Sequence, residues 1–215
     1  MIKITKHKLP DGVTISSDND YRSGPVFDIL VDDCYRKCYI CEDKPTSINV
    51  EHIVHHNNDP ALRYNWDNLF LACVHCNSIK GTKYDDIVNP AQIDPEDCVA
   101  LAIEISDDFM DCVSVTPLSQ EPKTLKTFEL LHLVYNGEAT SIKRIEAANL
   151  RNEHLLPDIQ RFKQYIRGYF DEPDLGYDSL IKKEISRSSK FAAFKRKIIR
   201  VIRAHNVFCV KRKIS

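Results

Sequence analysis

Cys38-Tyr39-Ile40-Cys41 and Cys73-Val74-His75-Cys76, with Ile48-Asn49-Val50-Glu51-His52-Ile53-Val54-His55-His56 between them, form the stretch whose reading decides the fold. In a Cys-x-x-Cys turn two sulfurs can point at one centre. Two such turns supply the tetrahedral thiolate cage that zinc prefers, at Zn–S distances of about 2.3 Å. Cys38, Cys41, Cys73 and Cys76 are therefore the expected metal ligands. Buried core thiols or a redox pair are the weaker readings. Four thiolates close the coordination sphere, so this zinc is structural and the chemistry must come from elsewhere. Cys34, Cys98, Cys112 and Cys209 lack such spacing and read as buried thiols.

Working outward, Ile48–Val54 and Leu69–Cys73 are rich in β-formers and too short for helices, while Asn77 onward can start a helix. Residues 24–37 place Val26, Leu30 and Cys34 on one helical face. The turn-rich segments 38–47 and 57–68 complete an order of helix, hairpin, strand, strand and helix. Residues 98–105 and 111–117 flank Ser106-Asp107-Asp108-Phe109-Met110 as a second hairpin. After Pro122 the pattern turns helical: 124–136, a long stretch from 141 to 169 broken at Pro157, then 177–186 and 191–205. In the last of these, Phe191, Phe194, Ile198 and Ile202 share one apolar face. The expected organisation is an N-terminal domain over 1–120, with its core at about 34–85, and a helical C-terminal region over 121–215.

With 43% hydrophobic and 28% charged residues, the composition is that of a globular protein. No apolar run approaches the roughly 18 residues needed to cross a bilayer. The segment Met1–Gly12 lacks the apolar stretch of a secretory signal, which implies a cytoplasmic protein without disulfides. The net charge of −1 argues against a general polyanion binder. Its distribution is uneven, however. Residues 85–111 carry Asp85, Asp86, Asp94, Glu96, Asp97, Glu104, Asp107, Asp108 and Asp111. The C-terminal stretch carries Lys190, Lys195, Arg196, Lys197, Arg200, Arg203, Lys211, Arg212 and Lys213. That asymmetry points to a nucleic-acid face, a charged partner or a solvated helix.

Glu51-His52, Asn68-Leu69, the second cysteine pair, Asn77 and Lys80 follow one another in an order that resembles the HNH endonucleases over roughly residues 34–85. The resemblance implies an α+β fold, a zinc-stabilised ββα-metal core with a mainly α-helical C-terminal region, and phosphodiester hydrolysis. That chemistry needs a base to activate water and a divalent cation to stabilise developing charge. His52 fits the base, because imidazole titrates near neutrality. Glu51 and Asn77 offer hard oxygens suited to Mg2+ or Mn2+. Asn68 corresponds to the middle letter of the motif, expected to fix the loop or orient His52. Lys80 and Lys83 are candidate phosphate contacts. Asn77 stands where many family members have a histidine, and His55 and His56 rival His52. Strict strand alternation also puts Glu51 and His52 on opposite faces, so the strand must end or bend there for both to meet one metal. His75, inside the turn, shields the zinc or stays exposed.

Trp66–Cys73, Lys80-Gly81, Thr127–Leu131, Val134–Glu138, Ile142–Glu146, Asn149–Arg151 and Ser189–Arg196 extend the likeness. Together they resemble the PtuB-type HNH subunit of Septu and retron-associated antiphage systems. This implies a PtuA-type ATPase partner and DNA as substrate. Cutting both strands would further suggest a homodimer within a larger complex. The rival reading is a zinc knuckle that binds nucleic acid or protein without hydrolysis. Such a module has no need for an acid, a base and a carboxamide in this order.

Overall fold

The computed structural model describes residues 1–105, 111–137 and 142–205. Residues 106–110, Glu138, Cys209, Lys211, Arg212 and Lys213 lie outside the described residues. Two short helices open the chain, α1 (Asp18–Arg22) and α2 (Gly24–Asp33). The first zinc-type turn leads to β1 (Ile48–His52). A loop carrying the one-turn helix α3 (Pro60–Arg63) leads to β2 (Leu69–Cys73) and α4 (Val74–Lys80). The hairpin of β3 (Val99–Ile105) and β4 (Asp111–Pro117) follows. The remainder is helical: α5 (Pro122–Asn136), α6 (Ile142–Asn149), α7 (Leu156–Asp171), α8 (Tyr177–Glu184) and α9 (Ala192–His205).

β1 and β2 pair antiparallel, with Glu51 opposite Phe70 and His52 opposite Leu69. All five residues of β2 are buried, because α2 and α4 both pack against it and Tyr39 N–H donates to Leu71 O along its free edge (2.8 Å). The predicted strands, the β3–β4 hairpin and the later helices are all present. No hairpin forms over 38–47. That segment is a knuckle in which Glu42 N–H returns to Cys38 O (3.0 Å) and Glu42 adopts φ 63°. The helix expected over 24–37 ends at Asp33, where Tyr35 and Arg36 take φ 55° and 54° and reverse the chain. α4 stops at Gly81, which adopts φ 46°, a backbone region open mainly to glycine.

Pro157 does not break the long helix. A π-helical segment, Leu150–Leu155, runs into α7, and Leu156 N–H bonds Arg151 O five residues back. The wider turn suits a proline in the first turn of α7, since its ring would crowd a tighter one and it has no N–H to donate.

One hydrophobic core joins Met1, Ile2, Leu30, Phe70, Leu71, Leu131, Ile159 and Phe194, residues from both sides of position 120. The helical region clasps the knuckle. Tyr135 hydroxyl donates to Cys41 O (2.8 Å), buried Lys37 donates to Arg187 O and Ser189 O (2.8 and 2.6 Å), and Ala193 N–H at the start of α9 donates to Glu42 (3.2 Å). Among the described residues, no helix is long and apolar enough to cross a membrane.

Candidate active site

Cys38 and Cys41 come from the knuckle, Cys73 ends β2, and Cys76 sits in the first turn of α4, where its N–H donates to Cys73 Sγ (3.4 Å). The four sulfurs lie within 4.8 Å of one another and all four residues are buried. The Cys41–Cys73 sulfur separation is 3.9 Å. A tetrahedron with Zn–S bonds of about 2.3 Å has sulfur–sulfur edges of about 3.8 Å, so the cluster could hold zinc. His75 ties the turn to its surroundings, with Nε2 2.9 Å from Val134 O on α5 and Nδ1 3.1 Å from Glu146 on α6. It is a brace between elements.

β1 brings Glu51 and His52 to its end, but alternation sends them to different neighbours. Glu51 turns inward. Its Oε1 lies 2.8 Å from Lys80 Nζ, and its Oε2 accepts from Tyr39 hydroxyl (3.1 Å). Burial pushes its carboxyl up to about 7, against the opposing pull of Lys80. Lys80 is itself fully buried, also donating to His52 O (3.0 Å) and lying 3.5 Å from Asp85. The expectation of a phosphate-facing Lys80 is corrected accordingly: its position on the strand-facing side of α4 makes it the counter-ion of Glu51. Lys83 is exposed, with its ammonium 5.1 Å from the Tyr84 ring centre.

His52 is half-buried against the Tyr21 ring (centroids 5.6 Å apart, edge-on) and the His56 ring (4.8 Å). His52 Nε2 lies 2.8 Å from Arg63 O. A carbonyl can only accept, so Nε2 carries the proton and Nδ1 keeps the basic lone pair in the neutral ring. Burial lowers the His52 pKa below 6.5, with the Arg63 contact working the other way. His55 stacks on His56 (5.3 Å), and His56 Nδ1 accepts from Asn58 N–H (3.0 Å).

Asn68, at the end of the loop, is buried. Its Oδ1 accepts from Val54 N–H (2.9 Å) and its Nδ2 donates to Val54 O and Leu62 O (2.9 and 3.0 Å). It stitches the two ends of the 53–68 loop together. Asn77 is half-exposed, three residues before Lys80 and hence on the same side of α4. The structure therefore brings His52, His55 and His56 together, and Glu51 with Lys80, but does not point Glu51 and His52 at a common centre.

Sequence reasoning missed three residues. Asp18, Tyr21 and Arg63 all bear on His52, and nothing local marks them. The Asp59 cap on Ala61 N–H (2.9 Å), followed by Pro60, signals the start of α3. It carries no information about what Arg63 would meet.

The basic face of α9 also differs from expectation. Lys195 is buried between Asp158 and Glu184, and Arg196 and Arg200 both pair with Glu96. Much of the charge asymmetry is thus resolved inside the molecule.

An antiparallel strand pair followed by a helix carries a buried four-cysteine cluster that could hold zinc and, at the end of β1, a half-buried histidine: a ββα arrangement. Residues 36–83 match the family model described as HNH endonuclease, and the chain carries that domain within a mixed α/β fold. The match covers less than half of the 215 residues and does not reach the helical segments after Pro122. Neither the curated proteins nor the solved structures include a match to the chain.

Proposed function

We propose that the chain is a divalent-cation-dependent endonuclease that hydrolyses DNA phosphodiester bonds, with His52 as general base. The observation that carries this reading is the His52–Arg63 hydrogen bond. It commits Nε2–H and leaves Nδ1 to take a proton from water. Burial keeps the ring neutral near pH 7, the form a base requires. Asn68 holds the loop that places Arg63, by bonding Leu62 and Val54.

Asn77 and Glu51 would hold Mg2+ or Mn2+. Such a cation, when bound, stabilises the charge developing on the phosphate and the leaving oxygen. Asn77, half-exposed on α4, offers a carboxamide oxygen. Glu51 fits only on exchanging Lys80 for the cation, since both of its oxygens already have partners. Zinc at the four cysteines serves the fold. Exposed Lys83 remains a candidate phosphate contact.

The cellular role we propose is that of effector nuclease in a bacterial antiphage system, acting in the cytoplasm with a PtuA-type ATPase. It is supported by the resemblance of Thr127–Leu131, Val134–Glu138 and Ser189–Arg196 to such subunits. Two chains in one assembly would let a single-strand cutter make double-strand breaks.

The test is incubation of wild type and His52→Ala with supercoiled plasmid and Mg2+ or Mn2+, alone and with any co-purified partner. Nicking or linearisation by wild type only supports the reading. Absence of cleavage by folded, zinc-loaded protein in every condition would favour the non-catalytic zinc knuckle.

A further inference from the structure

We propose that Asp18, Tyr21 and Arg63 form a positioning clamp for the His52 imidazole, so that α1, outside the matched residues 36–83, is part of the active centre. The inference rests on His52 being the base.

The carbonyl that fixes His52 belongs to Arg63, the last residue of a four-residue helix. So short a helix has little stability of its own, because nucleation is unfavourable and few bonds follow it. Its end must be held from outside. Asn68 holds Leu62, and the Arg63 side chain holds Arg63 itself. Its Nε donates to Asp18 Oδ1 (2.8 Å) and its Nη2 to Asp18 Oδ2 (2.7 Å), a fork-to-carboxylate pair across 45 residues. Such a pair fixes direction as well as distance.

Tyr21 sits three residues after Asp18, hence on the same side of α1, and is buried. Its ring meets the His52 ring edge-on at 5.6 Å. One helix therefore delivers both the anion that anchors Arg63 and the wall against which the imidazole rests. The His56 ring also meets His52, with centroids 4.8 Å apart.

The Asp18 and Arg63 side chains are 23% and 31% exposed. The pair is partly open to solvent, so screening limits its contribution to stability, although its bidentate form gives it more than a single contact would. The geometry therefore points to placement of the base as its role. A displacement of about 1 Å in a reacting group can lower a rate by roughly 100-fold.

The experiment compares Asp18→Asn, Asp18→Glu, Arg63→Lys and Tyr21→Phe by plasmid cleavage, thermal melting and 15N NMR of the histidine rings in the resting protein. The wild-type His52 signal, assigned by its loss in His52→Ala, is expected to report the Nε2–H tautomer. Asp18→Asn is expected to populate both tautomers and lower kcat by about 10- to 100-fold, leaving KM and melting temperature near wild type. Asp18→Glu, which keeps the charge, recovers much of the rate. Unchanged kcat and tautomer in both Asp18→Asn and Arg63→Lys would overturn the clamp, as would a loss confined to KM. Should His52→Ala cut like wild type, the base reading itself fails, and the tautomer measurement alone then decides whether the clamp exists.

Discussion

Lys80 Nζ and Glu51 Oε1 stand 2.8 Å apart in a site where Lys80 is 1% and Glu51 7% exposed. The residue expected to receive a phosphate is thus the internal counter-ion of the residue expected to hold a cation. Removing one member of a buried pair leaves the other without compensation, at a cost of about 3–5 kcal/mol. Lys80→Met is expected to destabilise the protein by that order in urea unfolding. A loss near zero would show the pair to be loose or solvated.

The pH dependence of that loss follows from the raised Glu51 pKa. Between the ordinary value of 4.5 and about 7, the folded state holds a proton that the unfolded state has released. The Glu51 contribution to stability is therefore present below 4.5 and falls as pH rises through about 7. Lys80 opposes the shift, so Lys80→Met moves the folded pKa further up and extends the loss to higher pH. Urea midpoints of wild type and variant are expected to diverge with rising pH, and parallel curves would contradict the assigned coupling.

For cleavage the sign is set by His52. A base works deprotonated, and burial lowers its pKa from 6.5. The rate of cutting is expected to rise with pH along an acid limb whose midpoint lies below 6.5. A midpoint above 6.5, in single-turnover measurements, would assign the limb to another group.

Asn68→Ala removes three hydrogen bonds at once and leaves Val54 N–H, Val54 O and Leu62 O without their partner. A fully buried orphan would cost about 1–3 kcal/mol, and these partly exposed groups of Val54 and Leu62 cost less because water can reach them. Lower stability together with lost cutting is expected, because the loop that bears Arg63 is released. Retention of full activity would remove Asn68 from the site.

Cys73→Ser, or a strong chelator, is expected to release zinc and unfold the core, because structural zinc contributes folding free energy directly. Metal analysis alongside circular dichroism reads both effects. A zinc-free variant with native spectra would show that the clasp of α5 and α9 on the knuckle suffices alone.

On α9, Lys195→Met is expected to destabilise the fold by about 3–5 kcal/mol, nearer the lower value because Arg161 also pairs with Asp158. A DNA-tracking lysine would instead lose salt-dependent affinity while keeping its stability. Binding isotherms at two salt concentrations, set beside unfolding curves, separate the two.

Local spacing was legible in the sequence by itself. Two Cys-x-x-Cys turns, the short β-rich runs Ile48–Val54 and Leu69–Cys73, and a helix expected from Asn77, which starts three residues earlier at Val74, follow from local patterns of the chain, and they led to the HNH domain later matched at 36–83. Alternation along β1 raised the problem of how Glu51 and His52 could meet one metal, and the sequence could not settle the bend expected to solve it. The tertiary structure alone decided which charges meet. Asp18 finds Arg63 across 45 residues, and Glu96 finds Arg200 across 104. No backbone period relates such positions. Packing turns Lys80 and Lys195 from apparent surface cations into buried counter-ions, because a carboxylate removed from water must be matched where it lies.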